Sequence, residues 1–192
     1  MRLVLFCKYP KPGEAKTRLI PALGAEGAAE VHRQLAERTV GVLLEAGIGE
    51  VKIAYTGADE ADFREWLGRD IALVEQVDGD LTARLLSQID PAPVIFFGAD
   101  TPDLSPAIVR AAVAALEDSE VVIGPAEDGG YYLIGMAGAL CELITDMPWS
   151  TSKVLPETLR RLDGLGIEPH ILPTLADCDR PDDLARWPWL TQ

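Results

Sequence analysis

The sequence is poor in the residues that staple chains, span bilayers or grip polyanions. Only three cysteines occur in 192 residues, Cys7, Cys141 and Cys178, far apart and without a CxxC spacing. That argues against a disulfide framework and a zinc knuckle, and for a reducing compartment. No histidine lies near any of them in sequence, so packed side chains are expected rather than a thiol nucleophile. The two histidines, His32 and His170, lack ligand-like spacing. A helix surface and a strand edge are their expected stations, which disfavours histidine acid–base or zinc chemistry. Long apolar runs are missing too. The longest are strand-length, far short of the roughly 20 residues a membrane helix needs. Residues 3–7 are too short for a signal-peptide core and run straight into Lys8, so a cytoplasmic protein with no membrane span is expected. Basic residues are outnumbered, 17 against 31 acids for a net charge of −14, which excludes a nucleic-acid groove.

The few cations are not spread evenly. Arg2, Lys8, Lys11, Lys16 and Arg18 fall in the first eighteen residues, where Glu14 is the only acid. A basic island on an acidic protein suits a small anionic ligand drawn locally; a solvated basic loop is the alternative.

The rest of the chain alternates between two periods. Strands are expected at 3–7, 51–56, 71–75, 94–98, 121–124, 131–136 and 167–172. Helices are expected at 25–46, 61–67, 81–89, 107–116 and 153–165, with a helical turn at 182–187. Ser105 and Pro106 form a cap and first-turn proline for the fourth helix. Such alternation implies an α/β domain over residues 1–192, a mostly parallel sheet between two helical layers. Ligands of such sheets gather beyond the carboxyl ends of the strands, where strand order reverses.

Those ends hold the unusual residues. Strand one runs into Lys8-Tyr9-Pro10-Lys11-Pro12-Gly13-Glu14-Ala15-Lys16-Thr17-Arg18. Two prolines and a glycine restrict the loop, Lys16 offers a compact charge, and Arg18 offers a fork for two phosphate oxygens. It is neither a Walker A loop nor a GxGxxG fingerprint. Strand four runs into Gly98-Ala99-Asp100-Thr101-Pro102-Asp103. A carboxylate at the end of a buried strand must be paired, hydrated or metal-bound, and Asp100 suits magnesium, which takes one or two protein carboxylates. Helix capping by Asp100 is the alternative, but Ser105 already fills that place. Residues 124–132 put Glu127 and Asp128 before Gly129-Gly130-Tyr131, either an ordinary turn or a substrate loop. Ser150 or Thr151 is the expected cap of the fifth helix. Asp177 and Asp179, two apart on an extended segment, point the same way and could share a cation with Asp100. Asp182 and Asp183 more simply favour a helix dipole.

In this order the motifs resemble the GT-A-type nucleotidyltransferase and nucleotide-diphospho-sugar transferase superfamily. The likeness is greatest to a bacterial glycosyltransferase-like branch, "transferase 1", similar to 2-phospholactate guanylyltransferase. It is carried by PGEAKTRL, GDLTAR at residues 79–84, GADTPDL, GPAEDGGYYLIG and DCDRPDDL. The resemblance implies a three-layer GT-A fold and phosphate binding by Lys16 and Arg18. It makes Asp100 a metal ligand, joined by Asp179 with Asp177 as fallback. It places Lys8, Gly13, Thr17, Asp80 and Arg84 around the nucleotide, and Asp128, Gly129, Gly130 and Tyr131 around an acceptor. Two departures stand out: Phe6-Cys7-Lys8-Tyr9-Pro10 replaces a glycine-rich opening, and Thr82 stands where glycine is common.

The expected activity is magnesium- or manganese-dependent nucleotidyl transfer from a nucleoside triphosphate to a phosphorylated small molecule. Lys16, Arg18 and Asp100 would carry it. Glycosyl transfer from a nucleotide-diphosphate sugar is the alternative, and a non-catalytic nucleotide sensor the third. The sequence allows a homodimer but does not specify one.

Overall fold

The structure, a computed structural model, describes residues 1–68 and 70–192. Seven strands form one sheet: β1 (Arg2–Lys8), β2 (Glu50–Thr56), β3 (Ala72–Glu75), β4 (Val94–Phe97), β5 (Val121–Pro125), β6 (Tyr131–Met136) and β7 (His170–Ile171). Their spatial order is β3-β2-β1-β4-β6-β5-β7. β1 lies parallel to both β2 and β4, while β6 runs antiparallel to β4 and β5. The chain moves outward from β1 to β2 and β3, then returns to the other side of β1 as β4. The crevice of a doubly wound sheet opens where the order reverses in this way.

Side chains of β1 alternate between two cores, as a strand buried on both faces requires. Leu3, Leu5 and Cys7 join the cluster holding α1 (Ile20–Ala46), α2 (Glu60–Leu67) and α4 (Pro106–Asp118). Val4 faces the opposite cluster, beneath α3 (Leu81–Leu86) and α5 (Val154–Leu165). The expected three layers are therefore present. α1 is regular only beyond Gly24, whose φ of 73° and ψ of 173° break the helix. Ser105 caps α4, accepting the Ile108 N–H at 3.4 Å with Pro106 in the first turn, and Asp100 is thereby freed from that duty.

Several expectations need correction. The strand expected at 167–172 contracts to His170–Ile171, because Pro169 and Pro173 bracket it and proline cannot donate to a ladder. α3 ends at Leu86 rather than 89. α5 has no side-chain cap; Thr151 accepts the Lys153 N–H and donates to the Pro148 carbonyl, closing the preceding turn instead. Cys7 and Cys178 are buried as expected, but Cys141 is exposed. Arg2 does not belong to the basic island. It sits at the opposite end of β1, buried, with its guanidinium donating to the Pro91 and Gln88 carbonyls. Among the described residues no helix is long and apolar enough to cross a membrane.

Candidate active site

The loop after β1 is held by apolar anchors at both ends. Tyr9 packs edge-on against Phe63 and Trp66, with centroids 5.5 and 5.6 Å away. Leu19, fully buried, closes a one-turn helix over Thr17–Leu19. Between them the chain makes two left-handed turns, at Gly13 (φ 82°) and at Lys16 (φ 45°, ψ 44°). A non-glycine residue rarely adopts that conformation without compensation. Here the compensation is electrostatic.

Lys16 Nζ lies 2.7 Å from Asp100 Oδ1 and 2.6 Å from Asp179 Oδ1, and donates to the Cys178 carbonyl at 2.7 Å. All three ammonium protons are thus used, and only 6% of the side chain is exposed. Burial by itself would lower the Lys16 pKa, but the two carboxylates outweigh it and hold the ammonium above its ordinary range. Burial would likewise raise Asp100, and the Lys16 charge reverses that, leaving the carboxyl below its ordinary value. The other oxygen of Asp179 meets the Arg18 guanidinium at 3.1 Å.

Three distant segments converge here because the closing loop is tied down twice. The Cys178 N–H donates to the Asp100 carbonyl at 2.9 Å. Asp183 Oδ2 accepts the N–H groups of Asp179 and Arg180 at 2.9 and 2.7 Å. Asp183 therefore shapes the loop through its side chain rather than merely answering a helix dipole.

Three cavities meet along this edge. The first, about 320 Å³, lies over Lys8, Lys16, Thr17, Arg18 and Asp100. The second, about 400 Å³, shares Arg18 and reaches Asp128, Asp177, the Ser150-Thr151-Ser152 hydroxyls and Arg180. The third, about 130 Å³, joins Gly98 and Asp100 to Asp128, Gly130 and Tyr131. Asp179 lines all three. In the second cavity Arg186 forms an ion pair with Glu127, at 2.7 and 3.1 Å.

Most of the expected residues are therefore neighbours. Lys8, Lys16, Thr17, Arg18, Asp100, Asp177, Asp179, Asp128 and Gly130 all border one continuous groove. Gly13 contributes its backbone turn. Gly129 is needed for close approach: its φ is 90°, and a Cβ there would stand 2.6 Å from the Ser152 carbonyl oxygen. Asp128 folds the turn by accepting the Gly130 N–H at 2.8 Å. Burial and the Asp128 charge together raise the Asp177 carboxyl above its ordinary value.

Asp80 and Arg84 stand apart from all three cavities. Asp80 caps α3, accepting the Ala83 N–H, and Arg84 donates to the Gly79 carbonyl and to Gln76. Tyr131 reaches the third cavity, but its hydroxyl is buried, and its ring stands edge-on to Trp149.

The sequence reading gave no place in the groove to Ser152, Arg180 or Arg186, which line the second cavity, or to His32. His32 is buried, not on a helix surface. It borders the first cavity, and its Nε2–H donates to the Lys8 carbonyl at 2.8 Å. Burial lowers its pKa below the ordinary imidazole value, against the opposing pull of the Lys8 carbonyl and Asp100. The available signal was spacing: His32 shares the inward stripe of α1 with Ala28, Leu35 and Ala36.

Among the described residues no three acids, histidines or cysteines converge on a point where an ion could sit. A hard divalent cation completed by water and phosphate oxygens needs only one or two carboxylates. Asp100 and Asp179 come close enough to share a single ammonium, so this donor set fits magnesium or manganese.

A family model for uncharacterized proteins conserved in bacteria (DUF2064) matches residues 39–151. The chain belongs to this family. The DUF2064 match includes Asp100 and the Asp128–Gly129–Gly130 turn; the fold brings Lys16 and Asp179 to them from outside it. No curated protein matches the chain. It is similar to a provisionally assigned nucleotide-diphospho-sugar transferase from Desulfovibrio desulfuricans G20, with 29% identity and a TM-score of 0.88 over 95% of this chain and 84% of that one. The inositol-1-phosphate CTP transferase of T. maritima shares the fold at 13% identity and a TM-score of 0.65, covering 99% and 94% of the two chains. A Mycobacterium tuberculosis H37Rv protein solved as a manganese complex does so at 16% and 0.57, covering 96% of each. The DUF2064 chain thus has the GT-A-like fold of nucleotidyl and nucleotide-diphospho-sugar transferases.

Proposed function

We propose that this DUF2064 protein is a divalent-cation-dependent nucleotidyltransferase. It would move the nucleotidyl group of a nucleoside triphosphate onto a phosphorylated small molecule and release pyrophosphate. The observation that carries this reading is the convergence of Lys16, Asp100 and Asp179 at one point, between a cavity rimmed by the basic loop and a second one rimmed by hydroxyls and arginines.

The chemistry asks for positioning and charge neutralisation. An oxygen of the acceptor phosphate attacks the α-phosphorus, a P–O bond forms, and the bond to the β-phosphate oxygen breaks. Pyrophosphate departs with that electron pair. The acceptor oxygen is already anionic, so no proton must be removed. Lys16 and Arg18 bind triphosphate oxygens, the ammonium as a point charge and the guanidinium as a fork. His32 holds the end of β1 through the Lys8 carbonyl, where the basic loop begins. Asp100 and Asp179 are the residues that would hold magnesium or manganese, which supplies Lewis-acid neutralisation of the phosphates. Arg18, on the wall between the two larger cavities, is placed to meet both substrates.

Glycosyl transfer from a nucleotide-diphosphate sugar is the second reading. The Ser150–Ser152 hydroxyls beside the Asp128 and Asp177 carboxylates match the donors and acceptors of a sugar. Thermal unfolding against nucleoside triphosphates and nucleotide sugars, with and without magnesium, separates the two. A ligand at a hundred times its Kd adds about 2.7 kcal/mol. Magnesium-dependent stabilisation by one triphosphate, followed by pyrophosphate release with a phosphorylated acceptor, supports nucleotidyl transfer. Stabilisation by a nucleotide sugar alone favours the second reading, and no response to either class removes both.

A further inference from the structure

We propose that Lys16 is a specificity-determining residue that makes the Asp100–Asp179 pair accept a divalent cation only together with a polyphosphate. This rests on the cation role assigned above to the two aspartates. Its basis is that the pair is already occupied by a cation of the chain itself.

The Lys16 ammonium is 2.7 Å from Asp100 Oδ1 and 2.6 Å from Asp179 Oδ1, and its third proton goes to the Cys178 carbonyl. A metal ion approaching either oxygen meets a like charge bound to the same atoms. Displacing the ammonium alone strands a buried charge without partners, which is strongly unfavourable. A polyphosphate removes that obstacle. It enters over Lys8, Thr17 and Arg18, which line the first cavity with Lys16, and offers the ammonium new oxygens. The four-carbon lysine stem can make that exchange by rotation alone. The carboxylates are then released to the metal that accompanies the phosphates. By linkage, metal and polyphosphate each tighten the binding of the other.

Replacing Lys16 by methionine keeps the stem and removes the charge, leaving two carboxylates facing one another. The test is Mn2+ binding followed by electron paramagnetic resonance and calorimetry, with no nucleotide present. Inorganic tripolyphosphate serves as the polyphosphate, with its own chelation subtracted from a protein-free titration. The native protein should bind Mn2+ weakly alone and markedly better with tripolyphosphate. Lys16→Met should bind Mn2+ alone about tenfold or more tightly than native, and its melting midpoint should rise with Mn2+ alone. A Lys16→Met/Asp100→Asn double variant should lose that gain. Should Lys16→Met fail to fold, Lys16→Gln, which keeps a hydrogen-bonding end, carries the same prediction.

Native protein binding Mn2+ alone as tightly as the charge-deleted variant would overturn the proposal, and so would weaker binding by the variant. None of these arms requires turnover or a particular base. If they behave as expected while no nucleotide is bound or consumed, the transferase reading fails and the Lys16 assignment stands. If a triphosphate is turned over but Lys16→Met gains no Mn2+ affinity, the reverse holds.

Discussion

A cation with a buried head stands at the start of β1 and another on the loop beyond its end, and the two are satisfied in opposite ways. Arg2 donates to the carbonyls of Pro91 and Gln88 at 2.7 and 2.8 Å. Lys16, on the loop beyond the strand, is held chiefly by two ionised side chains. Burial pulls the Arg2 pKa below its ordinary value, against the weaker pull of Glu50 and Asp90. The Lys16 pKa is instead pushed up by its partners. Backbone carbonyls belong to the fold and cannot leave, so Arg2 is a fixture. Carboxylates can change partner, so the Lys16 knot can be untied by a ligand that supplies both a cation and anions. Burial by itself therefore says little about role; the chemistry of the partner separates structure from function.

The sharpest way to break the comparison is at the shared carboxylates. Asp100→Ala should lower kcat/KM for pyrophosphate release by about 10³-fold, roughly 4 kcal/mol of transition-state stabilisation, with a modest change in melting midpoint. Arg2→Met should do the converse. A buried carbonyl at Gln88 and a partly buried one at Pro91 would lose charged donors, at about 3 kcal/mol of stability and a fall of roughly 6–12 °C in Tm. Turnover per folded molecule should be unchanged. Gly129→Ala tests the wall of the second cavity, since its φ of 90° and the Ser152 carbonyl leave no room for a Cβ. It should cost about 2 kcal/mol in denaturant titration and raise KM for the acceptor more than for the nucleotide.

The smallest effect concerns pH. Asp100 has a depressed folded pKa, so its contribution is present above the ordinary carboxylate value and fades as pH falls through the folded one. Lys16 has a raised folded pKa, so its contribution is present below the ordinary lysine value and fades as pH rises through the folded one. The difference in Tm between native and Lys16→Met should therefore be nearly flat from about pH 5 to 10 and shrink outside that window.

Much of the edge was legible in the sequence because local features announce it. Val94–Phe97 is wholly apolar, and an acid three residues beyond such a strand has few structural explanations. The cation-rich loop after β1 was equally visible. What could not be read was pairing. Lys16 and Asp100 lie 84 positions apart, and only the adjacency of β1 and β4 brings them together. Hydrophobic period assigns a residue to a face without saying what waits there. His32 was therefore placed outward although its neighbours on the stripe face in, and Arg2 was grouped with cations at the other end of its own strand. Asp80 and Arg84 present a different case. A motif marked them for the nucleotide, while the structure occupies them with capping and loop contacts at α3.

The contact between Lys16 and Asp179 spans 163 positions of chain. The loop bearing Asp179 is pinned by segments that arrive late: Trp187 and Leu190 pack with Leu19, Val31 and Leu35, and the Trp187 indole N–H donates to Asp103. During synthesis the basic loop emerges early and must wait for these final turns before its counter-charges arrive. Contacts of such long sequence separation form late because the entropy of closing the intervening chain opposes them. Until then Lys16 and Arg18 lack the Asp179 counter-charge that the folded chain gives them, whereas Lys8 and Lys11 have Glu14 close at hand in the loop. Refolding followed by turnover should therefore lag behind refolding followed by helix content.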